Sequence, residues 1–376
     1  MDRRELASLL EQCGSLEHPA HSADYRLAAC TVRLHCSAPE LFQEIHDVLS
    51  PTFGGERAAE LPAGGWRFAV MVSDAWDFER FAQAAEGETV IAQSTGYRTL
   101  RGKVLEDATV RYVANTESGN LIAVDNVRKL AAAIGRKPDS SLILDASATI
   151  RNILRSELER RGGFVLHSSS LRVKDKGVAI IGEKGAGKST LLMEWLMNAG
   201  AACVGPDRTF FWKDRQGIRF SGWPSEIRLK AETVAEYPGL QAFVHQDPAL
   251  WNGEKYEIPL QRLSSWHVPV AREVPLHVVI FKQYVPDMPD FQVEPLHRRE
   301  DMIRELKSSL YTPEDPNYPN WIGVPNQSEE KAEDTLLHTP GLRFIKLTGG
   351  GSRERLLNLA QELVFDEAYE QRTYYP

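Results

Sequence analysis

The run Gly182-Glu-Lys-Gly-Ala-Gly-Lys-Ser-Thr190 fits the spacing G-x-x-x-x-G-K-[ST], a pattern whose chemistry is phosphate binding. Gly182, Gly185 and Gly187 let the backbone wrap so that several N–H groups point into one concavity. A helix starting at the end of the run adds the positive end of its dipole. Lys188 places a point charge on the β- and γ-phosphates, and the Ser189 hydroxyl is a ligand for Mg²⁺, with Thr190 beside it. Glu183, Lys184 and Ala186 complete the nucleotide-contacting set. The competing reading is a helix-capping glycine turn without a ligand, and it leaves Lys followed by Ser and Thr unexplained.

Moving a γ-phosphate requires an acidic group near the metal and a group that orients or deprotonates the nucleophile. Asp207 stands at the expected end of the strand after the loop's helix, and parallel α/β sheets present ligand groups at the carboxyl ends of strands. Read structurally, Asp207 is a cap or turn residue. His167 lies on the strand expected before the loop strand, where a lone histidine is also a satisfied core residue. Arg208, Arg228 and Lys255 are cations able to meet a phosphate or an anionic acceptor. Each reads equally well as a solvated surface charge, and Arg208 as an ion-pair partner of Asp207.

The elements that must position these groups follow from local pattern. "FVLHSSSLRV" reads as a strand, "KDKG" as a turn, "VAIIG" as a buried strand and "KSTLLMEWLMNAG" as the helix after the loop. "AACVGPDRTFFWKD" reads as a further strand carrying Asp207, "GIRFSGWPSEIRLK" as strand and turn, and "PLHVVIFKQYV" as another buried strand. Upstream, "SATIRNILRSELERRGG" is an amphipathic helix ended by two glycines. Residues 25–125 are strand-rich ("RLAACTVRLHC", "WRFAVMVSD", "ETVIAQSTGYRTLRGKVL", "ATVRYVAN"), interrupted by the proline-bounded helix "PELFQEIHDVLSP". Residues 285–340, rich in Pro, Asp, Glu and Asn, read as a long surface excursion, and "SRERLLNLAQELVFDEAYEQ" reads as one closing helix. The expected fold class is α/β, with a central β-sheet flanked by helices in residues 141–376 and a smaller N-terminal α+β domain in residues 1–140.

The stretch "VLHSSSLRVKDKGVAIIGEKGAGKSTLLMEWLMNAGAACVGPDR" resembles the core of the HPr kinase/phosphorylase-like P-loop kinases. "GWPSEIRL" and "PLHVVIFKQY" are similar to later segments of that family, and "GEKYEIPLQRL" to a hairpin of its peptide-modifying serine kinases from natural-product pathways. The resemblance spans roughly residues 160–285. It implies an ATP-dependent kinase with Mg²⁺, in which His167 partners an active-site carboxylate and Asp207 is the metal-associated aspartate. It also implies a hydroxyl acceptor, a serine of a peptide or protein, with a homo-oligomer as the assembly. The chain departs from the family at Pro206, where the family carries the aspartate assigned as base, so the proton must go elsewhere or need no strong acceptor. Two other functions stay open: a small-molecule kinase, and a nucleotide-binding regulatory or scaffold protein that has lost transfer.

Composition narrows the classes further. A net charge of −8 with no Lys/Arg cluster argues against nucleic acid as a partner. No apolar run approaches the length needed to span a membrane, and the N-terminus lacks an apolar signal segment. Cys13, Cys30, Cys36 and Cys203 have neither zinc nor CxxC spacing and read as reduced thiols. Together these place the chain in the cytoplasm. The tail, "LTGGGSRERLL" followed by "LVFDEA", superficially matches transporter-type ATPase signatures, but too few residues separate them for a helix and a separate strand. No N-K-x-D element of a switch GTPase follows the loop.

Overall fold

A computed structural model describes residues 3–15, 21–92, 100–107, 109–288, 290–311, 321–323, 329–350 and 353–365. Part of the expected strand "ETVIAQSTGYRTLRGKVL", part of the expected excursion and the "DEAYEQ" end of the closing helix lie outside these residues. The architecture is mixed α/β with large multi-stranded sheets. The chain divides into two compact units, one holding the described residues up to Arg161 together with 321–323, the other Gly162–Tyr311 and the described residues from 329 onward.

The first unit is built on strands β1 (Ser22–Leu27), β2 (Cys30–Cys36), β3 (Trp66–Val72), β4 (Gly87–Ala92), β5 (Leu100–Asp107), β6 (Val110–Asn115), β7 (Leu121–Asp125) and β8 (Leu130–Gly135), in the sheet order β1-β2-β3-β8-β7-β6-β5-β4. Its helices are α1 (Arg3–Gly14), α2 (Pro39–Phe53), α3 (Phe78–Ala84) and α4 (Ser140–Arg160). "RLAACTVRLHC" is a hairpin and not one strand, because Ala28 adopts φ 52° and turns the chain between Leu27 and Cys30. Helix α2 runs through Pro51 to Phe53, so its second proline sits inside the last turn instead of ending the helix. Leu6, Leu9 and Leu10 of α1 bury against one face of the sheet with Trp76, Phe81 and Tyr112.

Helix α4 belongs to this unit, so the division falls at Arg161 and not near residue 140. Asp139 caps it by accepting from the backbone of Ser141 and Leu142. At its far end buried Glu157 accepts from Trp66 Nε1 at 3.1 Å and pairs with Lys129 and Arg160. Burial alone would raise that carboxyl, but these three donors pull it down to about 2. Periodicity told that this helix exists and where it ends but missed its first two turns, Ser140–Ala146, and its partner was decided by strands far away in sequence.

The second unit contains β9 (Phe164–Leu166), β10 (Ser168–Val173), β11 (Lys176–Ile181), α5 (Lys188–Asn198), β12 (Ala202–Gly205), β13 (Thr209–Lys213), β14 (Ile218–Gly222), β15 (Ile227–Leu229), α6 (Ala231–Ala235), α7 (Pro238–Gln246), β16 (Tyr256–Ile258), β17 (Val274–Gln283), β18 (Gln292–Pro295), α8 (Arg299–Lys307), α9 (Glu329–Leu337), β19 (Arg343–Thr348) and α10 (Arg353–Phe365). The main sheet runs β12-β10-β11-β17-β14-β13-β9, with β19 on β17 and β18 on β19. Alternate residues serve the two faces. Val178, Ile180, Val278, Ile280 and Ile345 meet Leu191 and Leu192 of α5 and Leu359 and Leu363 of α10. Ala179, Ile181, Val279, Phe281 and Phe344 meet Leu306 of α8 and Leu336 of α9.

Three expectations are corrected here. "FVLHSSSLRV" is two strands broken at His167, because β9 pairs with β13 while β10 pairs with β11 and β12. "AACVGPDRTFFWKD" is likewise β12 and β13, with Asp207 in the connection. The region 285–340 is not simply an excursion, since β18, α8 and α9 lie within it and bury Phe291, Leu306 and Leu336. All four cysteines are unbridged and buried, and burial pushes their thiols up to about 12. No described helix is long and apolar enough to cross a membrane.

Candidate active site

Strand direction gathers the site. β10 runs antiparallel to both β11 and β12, so those two share a direction; β17 is parallel to β11, and β19 to β17. The carboxyl ends of β11, β12, β17 and β19 and the amino end of β10 therefore open at one edge of the sheet. The glycine-rich loop leaves that edge from β11, Asp207 from β12, Lys282 lies near the end of β17, Gly349 follows β19, and His167 enters β10.

The loop occupies residues 182–187 between β11 and α5. Gly182 has φ 154°, and a Cβ there would lie 2.2 Å from the Lys282 carbonyl oxygen, so only glycine lets the loop leave its strand against β17. Gly187 turns into α5 through a left-handed conformation, φ 87°. Glu183, Lys184 and Gly185 are exposed and Ala186 is buried. The buried Lys188 ammonium donates to the carbonyls of Gly182 at 2.6 Å and Glu183 at 3.2 Å. Burial lowers its pKa, and the negative charge of Asp207 opposes that shift, which puts Asp207 within electrostatic reach of the loop lysine.

On the other side of β11 in the sheet order, His167 Nε2 lies 3.3 Å from Asp207 Oδ1, and the two side chains keep 39% and 40% of their surface exposed, open to a reactant. The His167 backbone donates to Ser309 O at 2.7 Å and its ring stacks on Tyr311. Arg208 Nε lies 3.6 Å from Asp207 Oδ2 and donates to the Tyr311 hydroxyl at 3.1 Å, with the guanidinium over the Tyr311 and Trp223 rings. Burial would raise the Asp207 carboxyl. His167, then Arg208 and Arg228, outweigh it and hold the group well below the usual carboxylate range.

The segment bearing Asp207 is held by the serines of β10. Ser169 Oγ donates to the Pro206 carbonyl at 2.7 Å and Ser170 Oγ to that of Gly205 at 3.3 Å. Pro206 thus serves as a buried anchor through its carbonyl. Gly222 lets β14 close on the same segment, since a Cβ there would sit 1.9 Å from Val204 O. Gly222→Ala is expected to destabilise the protein by about 3 kcal/mol, read as a lower denaturant midpoint; an unchanged midpoint would show that β14 has room to move away.

Of the remaining cations, Arg228 pairs with Glu257 at 3.1 Å while its charge still reaches Asp207. Lys255 pairs with its neighbour Glu254 at 3.8 Å, and no contact joins it to the cluster among the described residues. The residues that the sequence reading missed are Tyr311, Trp223 and Lys282. A lysine closing the apolar run "VVIF" was the visible signal for Lys282; Tyr311 reaches His167 across a separation that no local pattern encodes.

Among the described residues, no three His, Cys, Asp or Glu side chains cluster as a metal site. A magnesium ion at a phosphate loop takes most of its oxygens from phosphate and water, so a hydroxyl and one carboxylate are what the chain must supply. Ser189 and Asp207 fit that requirement. A cavity of about 280 Å³ flanks the loop on the β17 and β19 side, and its lining includes neither His167 nor Asp207.

No family model matches the chain, and no curated protein matches it. Among solved structures it is similar to the Hpr(Ser) kinase/phosphatase from Coxiella burnetii, with 15% identity, a TM-score of 0.28, and coverage of 55% of this chain and 98% of that one. A likeness this remote leaves the chemistry to be read from the residues themselves.

Proposed function

We propose that the protein is an ATP-dependent kinase that transfers the γ-phosphoryl group to a hydroxyl acceptor, a serine of a peptide or protein. The observation that carries this reading is the His167–Asp207 pair at the sheet edge from which the phosphate loop springs, with the charge of Asp207 felt by Lys188. The loop N–H groups and Lys188 would hold the phosphates, and Ser189 and Asp207 would hold Mg²⁺, which would supply charge neutralisation to the transferring phosphoryl group. A carboxylate held well below its usual range is a poor proton acceptor and a good partner for cations. Asp207 therefore orients His167 by accepting from Nε2–H, which leaves Nδ1 to take the proton of the attacking hydroxyl. The acceptor oxygen bonds to the γ-phosphorus as the bond to the β-phosphate oxygen breaks, and ADP leaves. A loose transition state depends chiefly on positioning and charge, so Pro206 in place of a second aspartate is compatible with transfer.

The test is incubation of the purified protein with γ-labelled ATP and a panel of serine-containing peptides, proteins and small hydroxylated metabolites, read by mass spectrometry. Label on a peptide or protein serine is the expected result. Label only on a metabolite would replace the acceptor class, and bound ATP with no labelled acceptor would leave a regulatory nucleotide-binding protein.

A further inference from the structure

Lys282 is 5% exposed, and a buried ammonium needs partners. Its Nζ donates to the carbonyls of Gln283 at 3.1 Å and Gly349 at 2.9 Å and lies 4.9 Å from the centre of the Phe291 ring. An ammonium has three donors, and no carboxylate meets this one among the described residues. The third N–H belongs to a side chain that lines the cavity beside the loop. Gly187 and Thr190 of the phosphate-binding run, Gly349, Glu236 and the aromatic residues Tyr284 and Phe291 line that cavity. Its volume of about 280 Å³ lies near the lower end of small-ligand sites, roughly 300–1,000 Å³.

The sheet order sets a direction along the loop. β12 and β10 lie on one side of β11, and β17 and β19 on the other. A phosphate chain seated on the loop with its reactive end toward His167 and Asp207 directs its other end toward Lys282 and the aromatic wall. We infer that this cavity receives the nucleoside end of the bound nucleotide, and that Lys282 donates its free N–H to an α-phosphate oxygen while Tyr284 packs on the base. This rests on the reading of the loop as a nucleotide site. An unpaired buried cation also accounts for a lysine whose pKa is lowered to about 8 by burial.

The experiment is calorimetric titration of the full-length protein and its Lys188→Ala, Lys282→Met and Tyr284→Ala variants with ADP and with tripolyphosphate. Lys282→Met is expected to weaken both ligands by about 10- to 100-fold, the loss of a charged hydrogen bond. Tyr284→Ala, at a position 53% exposed, is expected to weaken ADP about tenfold and leave tripolyphosphate unchanged. At pH 9, ADP binding to the wild type should take up more protons than binding to Lys282→Met, since burial lowers the pKa of both Lys188 and Lys282 and the variant keeps only the first; the uptake is read from two buffers of different ionisation enthalpy. A lysine that only straps Gly349 to β17 would leave the two uptakes equal. If ADP binding depends on Lys188 but neither Lys282→Met nor Tyr284→Ala changes it, this inference is overturned and the loop reading survives. If the wild type binds neither ligand, both fall. Should Lys282→Met fail to fold, Tyr284→Ala decides the matter.

Discussion

Asp207→Asn is expected to reduce phosphoryl transfer by roughly 10³- to 10⁴-fold while ADP and ATP affinities stay within a few-fold of wild type. The magnitude is that of replacing the orienting carboxylate of a histidine pair, or one preorganised electrostatic group, by an amide. The amide no longer fixes the proton of His167 on Nε2 and no longer offers a negative oxygen to the metal. Nucleotide affinity is spared because the loop backbone and Lys188 carry it. Single-turnover transfer beside equilibrium titration separates the two quantities; wild-type turnover in the variant would remove Asp207 from the mechanism. The depressed carboxyl pKa gives a further consequence. Asp207 stays ionised across pH 4–9, so it contributes no acid limb to the rate profile, and any fall in rate over that range belongs to another group.

Lys188→Ala should act on the other quantity. Its ammonium now donates to two loop carbonyls, and the proposed site replaces these with charge-assisted bonds to phosphate, each worth about 1.5–3 kcal/mol. Losing two such bonds corresponds to on the order of a thousandfold weaker ADP binding, measured by titration. Affinity equal to wild type would mean that the loop does not seat a phosphate.

The loop, its strand and its helix were legible because the motif is contiguous from Gly182 to Thr190, and strand, turn and helix each carry their own local signal. Asp207 was legible as a strand end, although its strand is shorter than expected and a second strand begins at Thr209. His167 was harder to place. The break between Leu166 and Ser168 arises because the two halves of one apolar run pair with different strands, and local sequence carries no record of pairing. Lys282 was hidden within a run read as buried strand, since hydropathy averages over the one charge that matters. In the region from 285 to 340, abundant Pro and Asp masked the spacing of Met302 and Leu306 that seats α8 against the sheet. The position of α4 was missed for the same reason as that of His167.

The return of the chain to the first unit at 321–323 has a consequence for how the protein is made. Trp321 and Ile322 are buried, and Arg111 Nε donates to the Trp321 carbonyl at 2.8 Å. Domains generally fold in the order in which they leave the ribosome, N-terminal first, yet here the N-terminal unit takes in residues synthesised after the loop, Asp207 and Lys282. A fragment ending at Arg161 would emerge with Arg111 lacking its carbonyl partner. The nascent chain therefore lacks this part of the first unit for as long as the strands of the loop-bearing sheet edge are being made.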